Sequence, residues 1–333
     1  MKQFDYTALK SDSRHSLSTA PQDPRHTVLI HAGTTLLLML LLSLIAFLLD
    51  RQIGASGGLG GTDRRILLST AQTVLRFLYI ALLPFWAIGY RFYTLQLSQQ
   101  EPARNDSLLA GFRLFNPVLR LNFLSFILVG GVLFFGYQTG YFLFCTTPQA
   151  LPLLKIAAQM AEAADTNAFL ALEPAFTAAL KEVLLPLLCF VVPVCLLFAA
   201  PIFYRFRLAG LCLMDYPKEG ALRALLCSAK LMRGNYLAMI RLDLHYWWYH
   251  SLRLLFLLIG CSGLVAPLSG IPLPLPADVL QLLCVTVYAF GTLAIAWWRK
   301  PEVSLVYTHA YLILQDPPRE ESQSAPLRQP WDY

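Results

Sequence analysis

Apolar residues in this chain come in long, almost unbroken runs, not in the alternation of a half-buried strand or the one-sided spacing of a soluble helix. The runs at 27–49, 70–97, 119–145, 183–213, 240–264 and 279–298 are each near or above the ~20 residues that cross a ~30 Å hydrocarbon core. Each predicts a membrane helix, because lipid offers the backbone no hydrogen-bond partners outside the segment itself. The pattern therefore predicts an all-α fold. It is a polytopic membrane helical bundle of about six transmembrane helices over 27–314, with cytoplasmic amphipathic elbow helices. Residues 1–26 form a polar cytoplasmic N-terminal segment. Residues 315–333, rich in Pro, Glu and Ser, read as a disordered cytoplasmic tail.

The connections carry their own signals. Gly54, Gly57, Gly58, Gly60 and Gly61 follow the first run without dinucleotide-binding spacing and read as a flexible connector. Residues 148–181 form an extracytoplasmic excursion, in which 157–180 have helical periodicity with a break expected at Pro174. Pro186, Pro193 and Pro201 predict bends in the fourth run. Gly136 and Gly140 make a small-xxx-small pair through which another helix could approach the third. Residues 221–233 are the clearest amphipathic element. By helical spacing Arg223, Lys230 and Arg233 fall within roughly an 80° arc. Ala221, Leu222, Leu225, Ala229 and Met232 face the other way, and Leu226 intrudes among the basic residues. Gly234 follows as a candidate hinge where the chain turns into the fifth span.

Composition and charge sharpen this picture. The chain is 56% hydrophobic and 14% charged, against roughly 25% charged in ordinary soluble domains. The net charge of +6 does not point to nucleic acid, because the basic residues sit between apolar runs and not on a soluble face. Nineteen Lys and Arg fall on the side holding both termini and the second–third and fourth–fifth connections, against five on the other side. The excess predicts both termini in the cytoplasm of a cytoplasmic membrane. The seven cysteines are scattered and form no C-x-x-C pair; they read as small apolar residues, with no metal or disulfide framework.

Ser228, Leu231-Met232, Gly234, an aromatic position at Trp247 or Trp248, and Pro301 followed by Tyr307, Ala310 and Tyr311 carry a resemblance. Over roughly the last 120 residues the chain resembles the bacterial domain-of-unknown-function 975 family of integral membrane proteins. It departs from that pattern in placing Glu302 where an aromatic residue often follows the proline, and the excursion at 148–181 is another departure. The resemblance implies a multi-pass protein of a bacterial cell membrane, and it supplies no catalytic or binding residues.

The densest polar set within a predicted span is Arg241, Asp243, His245, His250 and Arg253, interleaved with Tyr246, Trp247, Trp248 and Tyr249. At 100° per residue Arg241, His245 and Trp248 share one face, and Asp243, Tyr246 and His250 another. An interfacial aromatic belt with snorkelling arginines is the favoured reading. An interhelical polar lock, and a proton or substrate site, are the alternatives. There is no zinc-protease, nucleophile-elbow or P-loop motif, so no catalytic residue, metal or cofactor is expected. The expected role is a non-enzymatic accessory or scaffold protein. Its elbow residues Arg223, Lys230 and Arg233 would meet anionic lipid headgroups or a protein partner. The alternative is a small transporter or permease-like subunit.

Overall fold

The computed structural model describes residues 4–55, 61–162, 166–269 and 277–315. It is all-helical, 91% helix, with no strand among the described residues. The long helices are α2 (Pro24–Ala55), α3 (Gly61–Ser98), α5 (Phe115–Cys145), α7 (Thr166–Phe206), α11 (Trp247–Ser269) and α12 (Ala277–Leu314). Among the described residues, three stretches are long and apolar enough to cross a membrane: Pro24–Leu42, Phe115–Cys145 and Glu182–Asp215. Their cores are only 22%, 11% and 6% buried within the protein. Apolar surface on that scale needs an apolar medium to cover it, which supports a membrane protein. Most of the glycine connector at 54–61, and the tail from 316 onward, lie outside the described residues.

The chain divides into two compact units, residues 123–207 and the remainder. In the smaller unit, Phe144, Ala150, Leu153, Ala179 and Val183 form the core between α5, α6 (Leu151–Glu162) and α7. A Cβ on Gly136 would stand 3.0 Å from Cys195 Cα, and one on Gly140 2.7 Å from Val191 Cα. The two small residues thus let α7 cross α5 at backbone distance. Helix α7 contains Pro174, Pro186, Pro193 and Pro201 and runs through all of them, so the break expected at Pro174 is absent. Each proline removes one N–H from the ladder, while the bonds on either side persist. The fourth apolar run is also not one continuous helix. Helix α7 stops at Phe206, and a separate α8 (Ala209–Asp215) follows. The amide freed by the break, Leu208 N–H, donates to Ser228 Oγ at 3.2 Å. The partner comes from α9 (Gly220–Met232).

The larger unit is built around α12, which packs against α1 (Tyr6–Ser18), α2, α3 and α11. Hydropathy passes over α1, a polar helix whose start is fixed by Asp5 accepting hydrogen bonds from the amides of Thr7 and Ala8. Burial is concentrated where α2 begins and α3 and α12 approach their ends. Val28, Tyr90, Tyr93, Leu97, Ala103, Leu108, Ala296 and Leu305 make one cluster there. Farther along the same helices Leu37, Leu41, Val74, Phe77, Leu283 and Phe290 stand exposed. One end of this unit is thus packed like a soluble core, and its remaining length presents apolar side chains outward.

A backbone-on-backbone crossing seals the packed end. Gly89 of α3 meets the carbonyl of Leu108, and Gly111 of the short helix α4 (Ala110–Arg113) meets the carbonyl of Phe85. Any Cβ at either position would strike main-chain atoms. The fifth apolar run, predicted as one span, is divided into α10 (Tyr236–His245) and α11 at Tyr246. The Tyr246 amide is shared between the carbonyls of Leu242 and Asp243, a tightened last turn that carries the buried ring inward.

Candidate functional site

Helix α9 turns Ala221, Ala224, Leu225, Ser228 and Met232 into the protein. Arg223, Lys230 and Arg233 are exposed, and Arg223 pairs with Glu219 one turn back at 3.3 Å. Leu222, expected on the inward face, is 64% exposed, and Leu226 beside it is 60% exposed. Helix α8 packs against the arc that carries Ala221, Ala224, Leu225, Ser228 and Met232, which leaves Leu222 and Leu226 outward among the cations. Gly234 has φ +82° with open space around it, a conformation that L side chains adopt at a cost.

Of the polar set in the fifth run, the fold brings two members together. Tyr307 of α12 donates to Asp243 Oδ1 at 2.5 Å, and His250 Nε2 lies 3.0 Å from the same hydroxyl. Because that hydroxyl gives its hydrogen to Asp243, it accepts from the His250 ring. The result is an Asp–Tyr–His chain across the α10–α11 break, with His250 and Asp243 3.9 Å apart. The other three residues go elsewhere. Arg241 is exposed, His245 stacks on Tyr6 of α1 at 5.6 Å, and Arg253 lies over Tyr249 at 5.8 Å.

Helix α12 supplies most of what sequence reasoning missed. Glu302 accepts from Arg299 at 2.7 Å and meets Arg14 of α1 at 3.5 Å. His309 bonds Ser16 of α1 at 3.2 Å, and burial pushes its pKa down. Tyr311 donates to Asp215 at 2.9 Å, and Gln315 donates to the same carboxylate. Burial, then the Asp215 charge, pushes the Tyr311 phenol well above its ordinary range. Three turns before Tyr311, the Lys300 ammonium lies 3.0 Å from His31 Nδ1 and 4.6 Å from the centre of the Tyr90 ring. Burial, then the nearby Arg253 charge, pushes Lys300 down to about 7. His31 is itself gripped by Trp86, whose Nε1 donates to the His31 carbonyl at 3.0 Å.

No family model, curated protein or solved structure matches the chain. Among the described residues no group of His, Cys, Asp and Glu is placed to hold a metal ion. The polar chains join α1, α2, α10, α11 and α12 at one end of the unit. Aromatic–cation pairs stand beside them, with Arg25 over Trp297 and Arg299 over Trp298. These pairings suit a boundary between a packed protein layer and lipid headgroups. The signal that could have found them was the Tyr307–Tyr311 spacing, one helical turn, on an apolar stretch following a Lys-Pro break.

Proposed function

We propose that this is a six-span protein of a bacterial cytoplasmic membrane with both termini in the cytoplasm, similar to the domain-of-unknown-function 975 family. It acts as a non-enzymatic accessory protein whose α9 rests on anionic lipid headgroups. The observation that carries the reading is the outer face of α9, where exposed Leu222 and Leu226 lie among Arg223, Lys230 and Arg233. A solvated surface would not repeat large apolar residues beside its cations, whereas an interfacial helix needs both. The lengths of α3, α11 and α12, at 38, 23 and 38 residues, support the remaining spans. The excess of Lys and Arg on one side supports the orientation. The test is thermal stability of the full chain in nanodiscs of phosphatidylcholine with and without phosphatidylglycerol, read with α9 hydrogen exchange. Phosphatidylglycerol should slow exchange across 222–233, and R223Q/K230Q/R233Q should abolish the slowing. Equal exchange in both lipids sinks the proposal.

The Asp243–Tyr307–His250 chain favours a second reading, a small permease-like subunit moving protons or a protonated solute. Proteoliposomes carrying an internal pH dye decide it. Dissipation of an imposed proton gradient, lost in H250A, would support transport; leakage no faster than in empty vesicles rejects it.

A further inference from the structure

We propose that His31, Tyr90 and Lys300 form a binding site for a phosphate-type oxyanion, the headgroup of an anionic lipid or free phosphate. The three groups come from α2, α3 and α12 and touch one another. Lys300 Nζ is 3.0 Å from His31 Nδ1 and 4.6 Å from the Tyr90 ring centre, and the His31 and Tyr90 rings are 4.8 Å apart. The residue Lys300 is partly exposed, but its ammonium end is enclosed. Among the described residues no carboxylate lies within ion-pair distance of it. The nearest acidic neighbour along α12, Glu302, is already held by Arg299 and Arg14.

The cluster has donors in excess of acceptors. An ammonium that donates to His31 Nδ1 fixes the tautomer with hydrogen on Nε2. That Nε2 is buried with no hydrogen-bond partner, and the buried Tyr90 hydroxyl has the Ser304 side chain beside it. Trp86 Nε1 is committed to the His31 carbonyl, and Arg253 brings a second positive charge close to Lys300. A buried donor without an acceptor and a buried cation without a counter-charge are both costly, and an oxyanion at this position would satisfy both. A carboxylate offers two acceptor oxygens to one plane of donors. Groups arriving from three helices suit a tetrahedral oxyanion better. The height in the fold agrees. The Arg25–Trp297 and Arg299–Trp298 pairs flank Lys300 within one turn of α12, the level at which Trp and Arg meet headgroups. The site shares no residue with α9 and stands or falls apart from it.

The test uses the full chain in nanodiscs in three arms: phosphatidylcholine alone, phosphatidylcholine with phosphatidylglycerol, and phosphatidylcholine with inorganic phosphate in the buffer. Unfolding temperature is read for the wild type, K300M and R223Q/K230Q/R233Q. The expected result is a rise of several degrees with phosphatidylglycerol in the wild type and in the α9 variant, absent in K300M. A rise with inorganic phosphate as well assigns a free anion; a rise with lipid only assigns a headgroup. K300M that responds as the wild type does, or a wild type that responds in neither arm, overturns the site. If K300M does not fold, H31L serves instead, since it removes the Nε2 donor and keeps the lysine. An unchanged response in H31L overturns the site equally. An α9 variant that loses the response while K300M keeps it rejects this site and leaves the α9 reading standing.

Discussion

Replacing Gly111 by alanine is a perturbation whose sign separates local propensity from packing. Gly111 lies in a helix, where alanine is intrinsically favoured over glycine by ~1 kcal/mol. The fold predicts the opposite outcome. The new Cβ would sit 2.8 Å from the carbonyl carbon of Phe85 and closer still to its oxygen, well inside the 3.4 Å at which ordinary contact begins. The obstacle is backbone of α3, so no rotamer change relieves it. The 105–113 segment or α3 must shift, and overpacking of this kind costs ~1–3 kcal/mol. Because the obstacle is backbone, the cost falls at the upper end of that range, and with the propensity gain set against it a net loss of about 2 kcal/mol is expected, a drop in unfolding temperature of roughly 3 °C for a chain of this size. Gly89→Ala, facing the Leu108 carbonyl across the same crossing, should behave alike. The double variant should cost less than the two losses added, because one displacement relieves both contacts. Gly130→Ala on α5, where a Cβ meets nothing within 4 Å, is the control and should be neutral or stabilising. The assay is tryptophan-fluorescence unfolding in detergent. A Gly111→Ala protein as stable as the wild type would refute the crossing.

Further outcomes follow from the polar chains. Tyr307→Phe removes the donor to Asp243 and the acceptor for His250 and should cost ~1.5–3 kcal/mol, read in the same unfolding assay; Tyr311→Phe tests Asp215 in the same way. Lys300 has a folded pKa of about 7 against the ordinary 10.5. Between those values the unfolded chain binds a proton that the folded chain does not, so stability should rise with pH across that window, by up to ~1.4 kcal/mol per unit. Below pH 7 both states are protonated, so the slope vanishes and the destabilisation is complete; K300M should flatten the slope in phosphate-free zwitterionic detergent. Glu302→Gln loosens Arg14 and Arg299 together and should expose α1 to proteolysis before any other described helix.

Much of the helical layout was legible in the sequence, because lipid forces backbone hydrogen bonds inside each segment and hydropathy then marks the segments. The breaks were not legible. The one after Phe206 depends on Ser228, which reaches Leu208 from 20 positions away, and the one at Tyr246 depends on a ring that turns inward in a tertiary setting. Leu222 was misplaced because ideal helical spacing does not say which arc a neighbouring helix covers. The polar cluster was only half visible. Asp243 and His250 were readable as ionisable groups inside an apolar run. Their partner Tyr307 lies 64 and 57 positions away, and the His31–Lys300 contact joins residues 269 apart. Arg299-Lys300-Pro301 reads as the end of a span, and so concealed that α12 continues through Pro301 into the most buried part of the unit.

The central claim is that α9 lies in the headgroup layer with its leucines toward the acyl chains. A nitroxide attached at position 226 in phosphatidylglycerol nanodiscs tests it through collision with dissolved oxygen and with a water-soluble nickel chelate. The account predicts that oxygen collisions dominate at 226 while nickel dominates at 230. Nickel dominance at both positions would contradict it.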